Sequence, residues 1–183
     1  MPILEEVPSD EVVLDQVERI AEDEGVEIGL ITFPRLRRSR LEFGRWVEVL
    51  RKAHAKTHGG RTVLAIEGFH PEAEADLSEP ALLTPFVRRT PDPTLQLTRL
   101  AVLERVRRGS PTGTEFFDMS TGDLDELAEK LSKPPLHERI ADTNRDTVAR
   151  MTVEAVKAKM DDILRDRDES YAAIDPSVPR RLR

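Results

Sequence analysis

Two histidines, His54 and His58, lie four residues apart near the end of a segment whose apolar residues follow helical spacing. On a helix, this spacing places both imidazole rings on one face, as a site for zinc or another transition metal requires. Glu67 and His70, at the end of the next predicted strand, could supply further ligands. The alternative is that histidines near a helix C-terminus complement the helix dipole. His54 and His58 are therefore candidate metal ligands, although we expect no cofactor.

A glutamate ends the most apolar stretch of the chain, residues 63–68 (VLAIEG). This stretch resembles the first strand of the Toprim fold, in which a glutamate is followed by glycine. The resemblance implies an enzyme that cleaves, joins or polymerises nucleic-acid backbones with carboxylate-bound magnesium, here with Glu67 and Asp118 as catalytic residues. The chain departs from the family's Asp-x-Asp pair because Ser120 replaces the second aspartate, and serine cannot supply the same charge to a metal. A Toprim-like enzyme is the third hypothesis.

Arginine is concentrated just after a predicted strand, at Arg35, Arg37, Arg38 and Arg40. The helix that follows would add backbone N–H groups at its start, and both kinds of donor bind phosphate. The neighbouring aromatic residues Phe33 and Trp46 occupy apolar-face positions, where we expect core packing rather than stacking on bases. Arginines also pair readily with acidic residues, of which the chain has 35. A nucleic-acid-binding regulator that uses residues 35–51 and the basic tail at 178–183 is the second hypothesis.

Residues 136–175 contain neither glycine nor proline, which predicts a long helix. A continuous helix of this length would span about 60 Å, and a domain made of the preceding residues would span roughly 30–40 Å. The helix must therefore bend back, break near residues 142–146, or project and pack against another molecule. Its apolar residues form a stripe along one face, which is interrupted only by Asn144. The opposite face of the same helix is charged. The candidate partner-binding residues on this stripe are Val148, Met151, Val156, Met160 and Ile163.

The first half of the chain predicts a βαβ unit. Ser9 is a good N-cap for a first helix, and residues 26–33 read as a strand that ends at Pro34. A second helix over residues 39–58 ends at a Gly-Gly pair, and residues 61–67 form an apolar strand. Strand, helix and strand over about forty residues favour a parallel, right-handed unit. The predicted class is α/β or α+β, with this unit in a small sheet flanked by helices and a long C-terminal helix.

The middle of the chain has weaker patterns. Residues 81–89 could form a third strand, at an edge because of Pro85, and residues 94–108 are predicted to form a helix. A short strand at 115–119 and a helix at 123–131 follow. We expect an α/β domain at residues 1–110, a linker with a short helix at 111–135, and the long helix with its basic tail at 136–183.

Composition narrows the class of protein. The chain has 183 residues, of which 38% are hydrophobic and none is cysteine, so disulfides and thiolate chemistry are excluded. The net charge of −7 opposes broad nucleic-acid binding but allows a local basic site. We find no signal-peptide pattern or membrane span, and expect a cytoplasmic protein or a virion component assembled there.

With no catalytic signature, the leading hypothesis is a non-enzymatic assembly or interaction subunit of an intracellular or phage-like complex. We expect it to bind a protein partner or itself through the C-terminal helix.

Overall fold

A computed structural model of the chain describes residues 8–107 and 136–181. These residues form six α-helices, one 3-10 turn and three strands, in an α+β arrangement. In chain order the elements are α1 (Asp10–Glu22), β1 (Ile28–Thr32), α2 (Arg40–Thr57), β2 (Leu64–Phe69), a 3-10 turn (Pro80–Leu83), α3 (Thr84–Val87), β3 (Thr94–Arg99), α4 (Leu100–Arg107), α5 (Leu136–Met151) and α6 (Val153–Ile174). The strand expected at 115–119 and the helix expected at 123–131 lie outside the described residues.

The three strands form one antiparallel sheet in the order β1-β3-β2. Because β3 pairs antiparallel with both neighbours, β1 and β2 run in the same direction on either side of it. The predicted β1-α2-β2 unit is therefore present in a split form, with β3 inserted between its strands. The fold-class prediction is confirmed in its α+β form, with the long helix at the C-terminal end.

The hydrophobic core lies between one face of the sheet and helices α1 and α2. Leu95 and Leu97 of the central strand are fully buried there. Gly68 of β2 allows α2 to approach closely, because a Cβ on Gly68 would lie only 2.8 Å from Cγ2 of Val47. The other members of the core are Val13, Val17, Ala21, Ile31, Phe33, Leu36, Phe43, Trp46, Leu50, Leu64 and Ile66.

Side chains of α2 cover the outer edge of β2. Arg51 donates from Nε to the carbonyl of Ile66 at 2.6 Å, and the backbone N–H of Leu64 donates to Nε2 of His54 at 3.3 Å. These bonds satisfy edge-strand groups that β3, on the other side of β2, cannot reach. His54 thus has a structural role in the fold.

The ends of the first two helices follow local sequence signals. Ser9 caps α1, and Ser39 caps α2 in a capping box with Glu42. Gly59 and Gly60 both have positive φ (64° and 85°) where the chain leaves α2, a conformation that favours glycine. The predicted starts of both helices and the end of α2 are confirmed.

Two predictions for the middle of the chain are wrong. Residues 81–87 lie in the 3-10 turn and α3, and residues 88–89 are not in a strand either. Pro85 lacks a ladder donor but fits the first turn of a helix. Residues 94–99 are strand β3, and helix α4 begins only at Leu100. The leucines at 95 and 97 alternate with polar residues, and pairing with two strands outweighs the local helical preference.

The C-terminal helix breaks at Thr152, not near residues 142–146 as one alternative predicted. Thr152 has φ 66° and ψ 155°, and its hydroxyl accepts a hydrogen bond from the N–H of Ala155 at 3.2 Å, so it caps α6. Helix α5 packs on the 3-10 turn and α3. Asn144, which interrupts the apolar stripe, is buried there and donates to the Thr84 hydroxyl at 3.1 Å. The helix therefore bends back onto its own chain.

None of the helices in the described part of the chain is long and apolar enough to cross a membrane.

Candidate anion-binding site

A buried ion pair attaches α6 to the turn before β3. Asp92 lies between two prolines in that turn, and Arg167 lies on α6. Arg167 donates from Nη2 to Oδ1 of Asp92 at 2.6 Å and from Nε to Oδ2 at 3.2 Å. Burial acts to lower the pKa of Arg167, but its hydrogen bonds to Asp92 and Asp168 and their charges raise it above the usual value. The guanidinium is therefore charged and held in a fixed orientation.

The same network fixes the C-terminal tail. The backbone N–H of Arg181 donates to both carboxylate oxygens of Asp168 at 2.9 Å. The Arg181 guanidinium donates to Asp92 at 3.3 Å and to the carbonyl of Leu36 at 2.6 Å. Arg167 also donates to the carbonyl of Pro179 at 2.6 Å. Two arginines and two aspartates thus hold residues 179–181 against the segment that follows β1.

This attachment brings two basic segments together. Arg37 and Arg38 precede α2, and Arg180 and Arg181 are more than 140 positions further along the chain. All four line one open cavity with a volume of about 420 Å³. We call this cavity the arginine pocket; its other lining residues are Ser39, Glu42, Glu72 and Pro179.

Arg38 is held in place through both its side chain and its backbone. Its guanidinium carbon lies 4.5 Å from the ring centre of Trp46, a cation–π contact. Its carbonyl accepts a hydrogen bond from Nε2 of His70 at 3.0 Å. Trp46 in turn donates from its indole nitrogen to Asp10 at 2.6 Å. The positive charge of Arg38 is therefore oriented before any ligand arrives.

Three arginines of the pocket keep charge available for a ligand. Arg37, Arg38 and Arg180 form no ion pair with any residue that the structure describes, whereas Arg181 is engaged with Asp92. Two carboxylates also line the pocket, those of Glu42 and Glu72. Hydrogen bonds from the Ser39 hydroxyl and backbone N–H lower the pKa of Glu42. Its carboxylate therefore offsets part of the positive charge at neutral pH.

The other two predicted arginines lie elsewhere. Arg35 forms an ion pair with Asp175 at the end of α6. The pKa of Asp175 is lowered by the hydroxyl of Ser177 and by Arg35. Arg40 is exposed and lines an adjoining cavity along α2. The predicted basic run is therefore divided, and only Arg37 and Arg38 belong to the pocket.

A second cluster of polar side chains joins α1 to α2. Oε1 of Glu18 lies 2.9 Å from Nδ1 of His54, and Oε2 lies 2.8 Å from Nε2 of His58. The two imidazole ring centres are 4.6 Å apart. His54 is buried, and Glu18 and His58 are partly exposed. The predicted spacing of the two histidines on one helix face is thus present.

The prediction that Glu67 and His70 supply further ligands to these histidines is wrong. Glu67 pairs with Arg51 at 3.2 Å, and His70 contacts the carbonyl of Arg38. The third member of the cluster is Glu18, from a helix that precedes both histidines. In the described part of the chain, this is the one group of three or more side chains with ligand atoms close enough to share a metal ion. No spacing rule joins residue 18 to residue 54, because the contact depends on how α1 packs on α2.

The carboxylates expected for Toprim-like chemistry are only partly described. Glu67 is exposed on β2, next to Arg51, in an antiparallel sheet. Asp118 lies outside the described residues. The geometry of a Glu67–Asp118 pair therefore stays a prediction.

The stripe on the C-terminal helix is covered unevenly. Val148 and Met160 are buried within the chain. Met151 and Val156 are half-buried, and Ile163 is 48% exposed. The surface left for a partner is narrower than the stripe itself.

The residues that shape the arginine pocket had little signal in the sequence. Asp92 reads as part of a Thr-Pro-Asp-Pro turn, and Arg167 and Asp168 read as members of a charged helix face. Their burial depends on contacts between distant parts of the chain. The basic tail and the basic run were each identifiable, but their proximity was not.

The comparisons with known proteins found no matching family model, no matching curated protein and no matching solved structure.

Proposed function

We propose that the protein binds nucleic acid through the phosphate backbone, with the arginine pocket as the contact site. The observation that supports this function is the convergence of Arg37 and Arg38 with Arg180 on one cavity. Guanidinium groups form two-point hydrogen bonds to phosphate oxygens, and several around one cavity suit a polyanion. The start of α2, beside Ser39, adds backbone dipoles that favour the same charge.

The recognition is independent of base sequence. Trp46 and Phe33, the aromatic residues nearest to the arginines in sequence, are both buried in the core, so neither can stack on a base. Contacts from arginine to phosphate position a nucleic acid without reading it. The net charge of −7 opposes broad binding of a polyanion over the rest of the protein surface.

The salt dependence of binding follows from the number of arginines. Three available guanidinium groups would release about three counterions, so the log–log slope of affinity against salt is about −3 for a duplex and about −2 for a single strand. Fluorescence anisotropy with labelled oligonucleotides of equal length, single- and double-stranded, measures both slopes.

The decisive variants are Arg37→Ala and Arg180→Ala, which lie on different segments of the chain. Each should weaken binding several-fold, and the double variant should weaken it at least about tenfold, or about 1.4 kcal/mol. The matched controls are Arg145→Ala and Arg165→Ala, because each removes an exposed arginine paired with an aspartate three positions earlier. If the controls reduce affinity as much as the pocket variants, the attraction is general and the pocket is not the site.

A second candidate function, assembly through the C-terminal helix, is favoured by the exposure of Ile163, at 48% on α6. Apolar residues that remain uncovered together on one helix face can contact a partner or a second copy of the chain. Together with the half-buried Met151 and Val156, Ile163 would provide the contact. Removal of the whole helix is a poor test, because α6 carries Arg167 of the buried network.

A point substitution tests assembly without that damage. Light scattering over a range of concentrations should show self-association that Ile163→Asp abolishes. Ile174→Asp, at a position 78% exposed on the same helix but outside the predicted stripe, serves as the control. Two results together would exclude this second function. The protein would be a monomer at every concentration, and no partner would bind the unsubstituted protein while failing to bind Ile163→Asp.

A further inference from the structure

We propose that Glu18, His54 and His58 bind one divalent transition-metal ion of the zinc type, which would link α1 to α2. This inference is independent of the arginine pocket and goes beyond nucleic-acid binding. Each of the three side chains offers one ligand atom, and these atoms all lie within 4.8 Å of one another. Two imidazole nitrogens and one carboxylate oxygen form a donor set that zinc accepts.

The spacing of the donors suits a small ion. Zinc lies about 2.0–2.1 Å from imidazole nitrogen and carboxylate oxygen, so tetrahedral ligands are roughly 3.3 Å apart. The carboxylate oxygens of Glu18 are now 2.9 Å and 2.8 Å from the two histidine nitrogens. Each of these oxygen–nitrogen pairs would have to open by about 0.4–0.5 Å to reach this spacing. The two histidine nitrogens, which lie within 4.8 Å of each other, would have to approach the same spacing. Because His58 is partly exposed, water could reach the fourth position.

Metal binding requires a change of tautomer at His54. The N–H of Leu64 donates to Nε2 of His54, which places the His54 proton on Nδ1, where it faces Glu18. A metal on Nδ1 would move that proton to Nε2, opposite the Leu64 N–H, and the 3.3 Å contact would lengthen. Loss of the hydrogen bond from Leu64 makes the site weaker than a closed structural site with four ligands. Binding should also weaken at lower pH, because protons compete with the metal for its ligand atoms.

The test is a titration of the full chain with Zn²⁺ at pH 7.5, in competition with a chromophoric chelator. We expect one ion per chain. Glu18→Gln and His58→Ala should each reduce the affinity at least tenfold. Glu22→Gln, which removes an exposed carboxylate from the same helix, should leave it unchanged.

Circular dichroism of each variant establishes that it is folded, and His58→Ala is the safer change because this ring is only partly buried. Tetrahedral visible bands on addition of Co²⁺, lost in His58→Ala, would support the same ligands. Absence of saturable Zn²⁺ binding overturns the proposal. So does binding that survives both ligand variants, because the ion would then lie elsewhere and the cluster would be a hydrogen-bonded joint between helices.

Discussion

Asp92 accepts two hydrogen bonds from Arg167, a residue 75 positions later, and both side chains are almost completely buried. The pair joins α6 to the turn that leads into the central strand. Through Asp168 and Arg181, it also determines where the tail lies. The arginine pocket therefore depends on an ion pair that is not part of its lining.

Asp92→Ala should lower the free energy of unfolding by about 3–5 kcal/mol, because it leaves Arg167 buried without its main counter-charge. Denaturation by urea measures the change. The control is Asp162→Ala, which breaks an exposed pair with Arg165 and should cost no more than about 1 kcal/mol. Equal losses in the two variants would contradict the importance of the buried pair.

Glu42→Gln should increase affinity for nucleic acid. The substitution removes a negative charge from the pocket, and glutamine can still complete the capping box with Ser39. The gain should be roughly two- to fivefold at low salt and should shrink as salt is added, because solvent and ions screen an exposed charge. Anisotropy titrations check it, with Glu154→Gln in the first turn of α6 as the control. A decrease in affinity would show that Glu42 supports the site.

Stability should fall as the pH falls below about 6.5, and His70 should contribute to this loss. Burial lowers the pKa of His70 below its ordinary 6.5. The hydrogen bond with the Arg38 carbonyl opposes this shift only in part, as does the charge of Glu72. The unfolded chain therefore takes up a proton at a higher pH than the folded chain does. The contribution of His70 to the free energy of unfolding is complete above pH 6.5. It decreases as the pH falls toward the lowered pKa of His70 in the folded protein.

The variant His70→Gln isolates that contribution. Its unfolding free energy, measured by denaturant between pH 7.5 and 5, should depend less on pH than that of the unsubstituted protein. Parallel curves for the two proteins would mean that His70 does not carry the effect.

Thr152→Gly should stabilise the protein by about 1 kcal/mol. The residue has φ 66° and ψ 155°, and a backbone in this region costs a side chain other than glycine about 1–3 kcal/mol. Replacing a threonine cap by glycine loses only a few tenths of a kcal/mol. Thermal unfolding measures the gain, and Thr143→Gly, within α5, should instead destabilise the protein by roughly 0.3–0.5 kcal/mol. A destabilised Thr152→Gly variant would mean that the cap outweighs the strain.

The sequence predicted elements whose signals are local. Ser9, Ser39 and the Gly59–Gly60 pair determine helix ends through bonds within a few residues, and these predictions hold. Strand β3 was missed because its leucines also fit a helix. Its conformation depends on pairing with β1 and β2, which lie far away in the chain.

The candidate site was predictable in parts. The charge of the basic run was visible, but the separation of Arg35 from Arg37 depends on a pair with Asp175. The histidine pair was visible from its spacing, whereas Glu18 joins it only when two helices pack. Sequence patterns identify which residues carry charge, and tertiary contacts decide which charges meet.

The split arrangement of the sheet affects how the chain can be divided. Among the described residues, β1 and β2 each have β3 as their sole strand neighbour, and β3 comes some twenty-five residues after β2. A fragment ending in the acidic loop at residues 71–79 would contain two strands with no ladder between them. Such a fragment should remain unfolded until a second piece carrying β3 is supplied, so fragment complementation across that loop should restore the native sheet.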